Sequence, residues 1–238
     1  MILLNDITMY YSKQNKNTPI FQNVSIQFNK GNFVSIIGKS GCGKTTLLKT
    51  ICGLITPNNG NVTINDFNPE DYWRIGKISY VPQENTLFEW LNILQNITLP
   101  LRIKKIFKDD ENIFYWLNKF DLAKLKNKRP SEISGGEKVR CEIAKALLLE
   151  PEILILDEPL RNLDRSNSKL INDVLNDTKA SNSDLTILMV THDIQSACIL
   201  SDKILIINRE TEDKPSYITE LSKDSFQGDC VKELIQRL

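Results

Sequence analysis

The sequence predicts an α/β fold built on a mostly parallel sheet, because three features of the 238-residue chain agree. Several short runs are almost continuously apolar, as strands are when helices cover both faces of their sheet. A glycine-rich loop directly follows the first of these runs. Between residues 85 and 150, apolar residues recur instead at helical spacing, which predicts a mostly helical insert.

The strands are predicted from their apolar patterns. Residues 24–28 alternate between apolar and polar side chains, which is typical of a strand with one solvated face. The four continuous apolar runs are residues 33–37, 153–156, 185–190 and 204–207. The short segment 78–81 adds a further strand. After residue 207 we expect a hairpin and a short helix at residues 231–238.

Helices are predicted where apolar side chains recur three or four residues apart, since such residues share one helix face. In the insert this spacing occurs at Ile113, Trp116, Leu117 and Phe120, and again at Ile143, Ala146 and Leu147. Another helix opens at Thr46, directly after the glycine-rich loop. Turn-forming residues at 57–60 and 208–215 separate elements without a long linker.

Composition narrows the function classes. Lys and Arg together number 30, as do Asp and Glu, so the formal net charge is zero. The chain therefore has no excess positive charge that would attract nucleic acid or an anionic membrane. The five cysteines show no C-x-x-C spacing, which argues against a metal site and predicts reduced thiols in a reducing compartment. No window approaches the ~18 to 20 apolar residues of a membrane span, and the first residues lack a signal-peptide pattern. We therefore expect a cytosolic protein that reaches a membrane only through partners.

The glycine-rich loop fits the phosphate-binding pattern G-x-x-x-x-G-K-[ST] and lies between a buried strand and a helix, where such a loop must lie. Its glycines let the backbone curl so that successive N–H groups point at phosphates. Lys44 supplies a charge to the β- and γ-phosphates, and the Thr45 hydroxyl is a ligand for Mg²⁺. The residues expected to hold the nucleotide here are Gly38, Lys39, Ser40, Gly41, Cys42, Gly43, Lys44, Thr45 and Thr46.

Polar residues follow three other strands, at the carboxyl edge where α/β sheets place their ligands. Asp157 would hold Mg²⁺, and Glu158 would accept a proton from the water that attacks the γ-phosphate. Gln83 could reach the metal or that water, and His192, the only histidine, lies beside the same strands. On their own, an acidic pair could be a helix cap and a lone histidine a structural residue. The phosphate loop favours the functional interpretation.

Residues 134–137 read Ser-Gly-Gly-Glu before a helical run. Ser134 and Glu137 have the spacing of a capping box. Two successive glycines are nevertheless costly in a first helical turn unless the backbone must approach something closely. We favour a phosphate that docks on this helix N-terminus, at Ser134, Gly135 and Gly136.

In this order the motifs resemble the nucleotide-binding subunit of an ATP-binding cassette (ABC) transporter, over nearly the whole chain. The resemblance implies one domain with the P-loop NTPase (ABC ATPase) fold: a mostly parallel core sheet, an N-terminal antiparallel β subdomain and an inserted helical subdomain. Residues 1–84 and 151–238 would form the nucleotide-binding core, and residues 85–150 the helical subdomain. The implied motifs are the Walker A loop at 38–45, the Q-loop at Gln83, the signature at 133–137, Walker B at 153–157, the catalytic Glu158, the D-loop at 163–164 and the switch His192. Tyr11 would stack on adenine, with Tyr10 as a competitor for that role.

The family resemblance also implies partners. Two copies, or this chain and a paralogous ATPase subunit, face head to tail so that each ATP lies between the phosphate loop of one and the signature of the other. Integral membrane permease subunits dock on the helical subdomain near the Q-loop, at the cytoplasmic face of the membrane, and a substrate-binding protein supplies the cargo. ATP and Mg²⁺ are the cofactors, and no nucleic acid is involved.

A finer resemblance lies at residues 83–91 and 96–101, which are similar to the nitrate, sulfonate, taurine and pyrimidine-precursor importers. It implies import of a small anion or related nutrient, although Trp90 could equally anchor a core. Ile133 and Glu137 depart from the commonest signature, and we predict that Glu137 caps its own helix. Arg161 and Asn162 replace the small residues usual before the D-loop.

Two alternatives remain at this stage. A soluble ABC ATPase of Fe–S cluster assembly can carry the same Ser-Gly-Gly-Glu-Lys signature as residues 134–138. A P-loop kinase or GTPase shares the phosphate loop, but it would need a phosphoacceptor pocket or a guanine-reading Asn-Lys-x-Asp element, and Asn127 and Lys128 do not lead into one.

Overall fold

Two β-sheets organise the residues that this computed structural model describes, which are 1–10, 18–211 and 213–223. The strands are β1 Ile2–Tyr10, β2 Pro19–Phe28, β3 Phe33–Gly38, β4 Asn59–Ile64, β5 Ile78–Val81, β6 Ile153–Asp157, β7 Thr186–Val190, β8 Lys203–Asn208 and β9 Tyr217–Ser222. The helices are α1 Lys44–Ile51, α2 Pro69–Arg74, α3 Ile93–Lys104, α4 Asp110–Lys119, α5 Gly135–Leu147, α6 Arg165–Ser181 and α7 Ile194–Leu200. Short 3-10 turns lie at Ala123–Leu125 and Pro130–Glu132.

The larger sheet has the strand order β5-β6-β7-β3-β8-β9. Its first five strands are parallel, and β9 runs antiparallel to β8. The apolar runs of the sequence correctly predicted all five parallel strands, and the antiparallel β8–β9 pair confirms the expected hairpin. The helix expected at residues 231–238 lies outside the described residues. Because parallel strands end at one edge, β3, β5, β6 and β7 deliver their following residues to the same side of the molecule.

Burial on both faces explains why these runs are continuously apolar. Successive side chains of a strand point to opposite faces. In β6, Ile153 and Ile155 pack in a core shared with α1 and the smaller sheet. Leu154 and Leu156 pack in a second core, which α3, α4, α5 and α6 cover. The strand is therefore held between two apolar layers.

The smaller sheet is the antiparallel subdomain that the family resemblance implied, with the order β2-β1-β4. Its register pairs Ile2 with Phe28 on one side and with Ile64 on the other. The segment predicted at 24–28 is the second half of β2. Residue patterns alone gave no prediction for β1 and β4.

Helices α3, α4 and α5 follow one another between β5 and β6, as the helical spacing of the insert predicted. Helix α4 begins after Asp109, whose side chain accepts a hydrogen bond from the Asn112 N–H. The interpretation of Trp90 as a core anchor is wrong, because this side chain is 70% exposed and its ring lies tilted beside the Phe88 ring, which is also exposed. Across the described ranges, no helix combines the length and the apolar character needed to cross a bilayer.

The cysteines partly follow expectation. Cys42, Cys52 and Cys141 are free and buried, and burial raises the pKa of each thiol. Cys198 is disulfide-bonded, so the expectation of five reduced thiols is wrong at this residue.

Candidate nucleotide-binding site

The phosphate loop connects β3 to α1 and is shaped by Gly43. This glycine is the N-cap of α1 and has a φ of 103°, a backbone conformation that other residues rarely adopt. A Cβ here would also meet the Ile20 side chain at 2.6 Å. No side chain caps the helix, so its first N–H groups are available to an anion. The loop therefore fits a phosphate group.

Lys44 opens α1 and turns back to the loop. Its Nζ donates to the backbone oxygens of Gly38 at 2.8 Å and Lys39 at 2.9 Å. The side chain is buried, whereas Lys39, Ser40 and Gly41 are exposed at the surface of the loop. An ammonium has three donors, so two carbonyl bonds leave one N–H for a phosphate oxygen.

Asp157, the last residue of β6, is 1% exposed and lies against the phosphate loop. Its Oδ1 accepts from the Thr45 hydroxyl at 3.1 Å, and its Oδ2 accepts from the Tyr80 hydroxyl at 3.0 Å. Burial raises the pKa of the Asp157 carboxyl, and the two hydroxyl donors oppose that rise. Mg²⁺ prefers oxygen ligands and is commonly held by one or two carboxylates together with substrate phosphates. The Thr45–Asp157 pair fits that ion.

A dedicated metal cage is absent from this region. Among the described residues, no group of three or more His, Cys, Asp or Glu side chains lies together. A metal bound beside Thr45 and Asp157 would thus depend on the phosphates of a nucleotide for its other ligands.

Tyr80 on β5 is a site residue that the sequence reasoning missed. We expect Tyr80→Phe to lower the free energy of unfolding by roughly 1–3 kcal/mol, because a buried carboxylate loses a donor. Urea denaturation would measure the change, and the deficit should shrink in acid, where Asp157 takes up a proton. Tyr115→Phe is the matched control, since its ring is 49% exposed. A Tyr80→Phe protein as stable as the wild type would contradict a supporting role for this hydroxyl.

Glu158 follows Asp157 in a left-handed backbone conformation, with a φ of 53°. Its backbone N–H donates to the Val190 oxygen of β7 at 2.9 Å, which fixes the turn away from the strand. The carboxylate is held on both sides: Oε1 lies 2.9 Å from His192 Nε2, and Oε2 lies 3.3 Å from an Arg161 nitrogen. The sequence prediction thus placed Glu158 and His192 together correctly, and it missed the contact with Arg161.

Gln83 follows β5 and is exposed. It lines a cavity of about 350 Å³ together with Gly135, Glu158 and Arg161. The structure therefore brings Gln83 to the cavity of the candidate base, Glu158.

The helix α5 begins with a reciprocal cap. The Ser134 hydroxyl accepts from the Glu137 N–H at 3.3 Å, and the Ser134 N–H donates to the Glu137 carboxylate at 2.6 Å. The backbone N–H of Ser134 is the main reason why the pKa of Glu137 is lowered. The prediction that Glu137 turns back onto its own helix is confirmed. Ser134 and Gly135 are both exposed, and nothing lies within 4 Å of a Cβ built on Gly135.

At Gly136, unlike Gly135, close packing leaves no room for a side chain. A Cβ on this residue would meet the Asn167 side chain at 2.7 Å. Asp164 caps α6 and holds Asn167 through the Asn167 backbone N–H at 2.8 Å and its side-chain amide at 2.7 Å. These bonds, led by the backbone N–H, lower the pKa of Asp164 to about 2. The start of α5 thus packs directly on the start of α6, a contact that the sequence did not reveal.

Tyr11, the residue expected to stack on adenine, lies outside the described residues. Tyr10 ends β1, and its backbone N–H donates to the Asn58 side chain at 3.1 Å. Which of the two tyrosines contacts a base stays a prediction.

A family model described as "ABC transporter" matches residues 21–161 of the chain. The aliphatic sulfonates import ATP-binding protein SsuB of Bacillus cereus is 35% identical over 247 residues, which cover 99% of this chain and 95% of that protein. The spermidine/putrescine import ATP-binding protein PotA of Fusobacterium nucleatum is 35% identical over 225 residues, 90% of this chain and 58% of that protein.

Solved structures show the same fold. A dimeric ATP-binding cassette in a post-hydrolysis state, bound to ADP and Pi, matches with a TM-score of 0.81 at 29% identity. The match covers 94% of this chain and 99% of the cassette chain. An ATP-binding subunit of an ABC transporter matches with a TM-score of 0.82 at 24% identity. The match covers 100% of this chain and 98% of that subunit.

Proposed function

This chain belongs to the ABC transporter family as an ATP-binding ATPase subunit, and we propose that it closes in pairs around two ATP to import a small anion. Its partner in the pair is a second copy or a paralogous subunit. Separate permease subunits carry the cargo through the membrane, and a substrate-binding protein delivers it. The chain then works at the cytoplasmic face of the membrane, bound through the permease.

The hydrolytic step is assigned to the strand ends described above. Lys44 and the first N–H groups of α1 hold the triphosphate. Thr45 and Asp157 would hold Mg²⁺, which would neutralise charge that develops on the phosphates. Glu158 accepts the proton of the attacking water, and His192, 2.9 Å from its carboxylate, keeps that carboxylate in place. Gln83 lines the cavity next to Glu158 and is positioned to orient the water.

Pairing of two chains is supported by the exposed start of α5. Ser134 and Gly135 present a helix N-terminus to solvent, with open space beside Gly135. An anion is favoured at such an end because its N–H groups carry partial positive charge. In the phosphate loop, the Lys44 ammonium bonds to loop carbonyls and the Thr45 hydroxyl bonds to Asp157 of the same chain. We infer that the exposed start of α5, with open space at Gly135, receives the phosphates of an ATP held by another chain.

One observation carries the proposal of a membrane partner: an apolar groove of about 360 Å³ between the helical subdomain and the part of the core around α2 and β5. Trp73, Phe88 and Ile103 line it and are respectively 36%, 40% and 71% exposed. Phe107, in the loop after α3, is 90% exposed. An exposed apolar groove of this kind marks an interaction site. The groove also reaches Tyr80, which donates to Asp157, so a partner seated there would contact a residue of the hydrolytic site.

Import, rather than Fe–S cluster assembly, is favoured by the relatives, which are named as import proteins for sulfonates and for spermidine/putrescine; the sulfonate relative is the one that favours an anion. The sulfonates import protein matches nearly the full length of both chains, and the importer-like segment around Trp90 is exposed rather than packed inside the protein. In an ABC ATPase of cluster assembly, a soluble scaffold would occupy the groove instead.

We expect Ile103→Asp to abolish co-purification of a tagged chain with its membrane subunit, because a carboxylate would have to be buried in an apolar interface. Ile199→Asp on α7 is the matched control, since both side chains are 71% exposed and only Ile103 lines the groove. Both variants should bind ATP like the wild type. Recovery of a soluble scaffold with the wild-type chain, and of no membrane protein, would instead establish the assembly function.

A further inference from the structure

Glu142 is a buried carboxylate on α5 that the hydrolytic step described above does not use. It is 3% exposed and lies two helical turns beyond Ser134. Burying a carboxylate is costly unless hydrogen bonds and an opposite charge compensate it. Its surroundings therefore have to supply donors, and the segment that follows Gln83 is the source of two of them.

Three residues form a closed cluster around this carboxylate. Oε1 of Glu142 accepts from the Thr86 backbone N–H at 2.6 Å and from the Thr86 hydroxyl at 2.8 Å. Lys145, one turn further along α5, makes an ion pair with Glu142 and also donates to the Thr86 hydroxyl at 3.0 Å. Each of the three residues contacts the other two. Charge-assisted bonds of this kind are roughly twice as strong as neutral ones.

The cluster lies between the two cavities described above. Glu142 lines the cavity that contains Gln83 and Glu158, and it also lines the apolar groove that contains Phe88 and Ile103. Thr86 belongs to the short segment that joins Gln83 to Phe88. This segment thus runs from the hydrolytic site to the groove and is bonded to α5 midway.

A second anchor ties the same segment to α3. Asn96 is 1% exposed, accepts from the Phe88 N–H at 2.7 Å and donates to the Phe88 oxygen at 3.1 Å. On the opposite side, α5 is joined to the core sheet where Ser79 of β5 donates to the Ala146 oxygen at 3.0 Å. Residues 86–88 are therefore bonded to the helical subdomain, while Gln83 follows a core strand.

We propose that Thr86, Glu142 and Lys145 are positioning residues that make the segment after Gln83 move together with α5. The proposal rests on the proposed function, in which a partner in the groove and a second chain at Ser134 act on opposite ends of this unit. A displacement of the segment at Phe88 is carried through the Glu142 carboxylate to α5 and so changes where Ser134 lies. None of the three residues needs to touch ATP.

The test compares Thr86→Val with Thr86→Ser in the complex of this chain with its membrane subunits. Valine has the shape of threonine but neither donates nor accepts, whereas serine keeps the hydroxyl. Thr86 is exposed, so neither change disturbs a core. In Thr86→Val, cargo-stimulated kcat should fall about tenfold while KM for ATP and unstimulated hydrolysis stay within about twofold. Thr86→Ser should restore the stimulation. Unchanged stimulation in Thr86→Val, an equal loss in Thr86→Ser, or an equal loss of unstimulated hydrolysis would overturn the proposal.

Hydrogen exchange on the isolated chain separates this proposal from the proposed function. In Glu142→Gln, the amides of residues 84–88 should exchange at least about fivefold faster, because the Thr86 N–H loses its charged acceptor. Unchanged exchange would overturn the cluster whatever the membrane partner is. Faster exchange in a chain that recruits no membrane subunit would support the cluster and overturn the transport function instead.

Discussion

Replacement of Glu158 by glutamine is expected to slow ATP turnover at least ~100-fold while ATP still binds, because loss of a general base typically costs 10²–10⁴ in rate. The amide has nearly the shape of the carboxylate, so its oxygen can keep the bond from Arg161, while its NH2 can keep the contact with His192 only if Nε2 accepts. Glutamine tolerates the φ of 53° about as well as glutamate does, so the fold should not suffer. What the amide cannot do is take a proton from water.

Phosphate release measured with the membrane partners present gives the rate, and a fluorescent ATP analogue gives the affinity. Because ATP persists in this variant, the paired form should accumulate and elute earlier on size exclusion. Glu70→Gln is the control, since Glu70 is an exposed residue of α2 that pairs with Arg74. Undiminished steady-state hydrolysis by Glu158→Gln would rule out its role as the base. If ATP binding were lost as well, the change would have damaged the site rather than removed its base.

Lys44→Ala should act at binding instead, with a rise of about 100-fold or more in the dissociation constant for ATP. Hydrogen bonds to charged groups contribute about 1.5–3 kcal/mol each, and alanine removes both the charge and its donors. The bonds of Nζ to the Gly38 and Lys39 oxygens show how the ammonium is held within the loop.

Equilibrium titration with ATP measures this effect directly. Lys30→Ala is the control, because Lys30 is an exposed lysine that pairs with Asp184 at 2.7 Å and precedes β3, whereas the loop follows that strand. ATP affinity should be unchanged in that variant. A dissociation constant within about threefold of wild type for Lys44→Ala would contradict the assignment of this loop as the phosphate site, given the magnitude expected for a charged bond.

The two variants therefore separate the halves of the site. Lys44 lies on the loop after β3, and Glu158 lies after β6, yet parallel strands bring both to one edge. One variant should bind poorly, and the other should bind well and turn over slowly. If both substitutions merely destabilised the fold, the two variants would lose ATP binding and turnover alike.

Local sequence patterns predicted the strands of the larger sheet. A strand covered on both faces needs apolar residues throughout, so the five parallel strands could be located within one residue of their bounds. The smaller sheet was harder because β1 is irregular: its pairing shifts register between Leu4 and Ile7, where Asp6 has a φ of 49°. An interrupted alternation gives no clean period to detect.

Three functional motifs each consist of contiguous residues: the phosphate loop, the acidic pair and the capped start of α5. The sequence by itself therefore determined what kind of protein this is. Tertiary structure alone decided which side chains support that chemistry. Tyr80 reaches Asp157 across 77 positions of the chain, Thr86 reaches Glu142 across 56, and Asn167 packs against Gly136. Such contacts depend on strand order and helix packing rather than on spacing along the chain, since a one-residue change of register would point each side chain elsewhere.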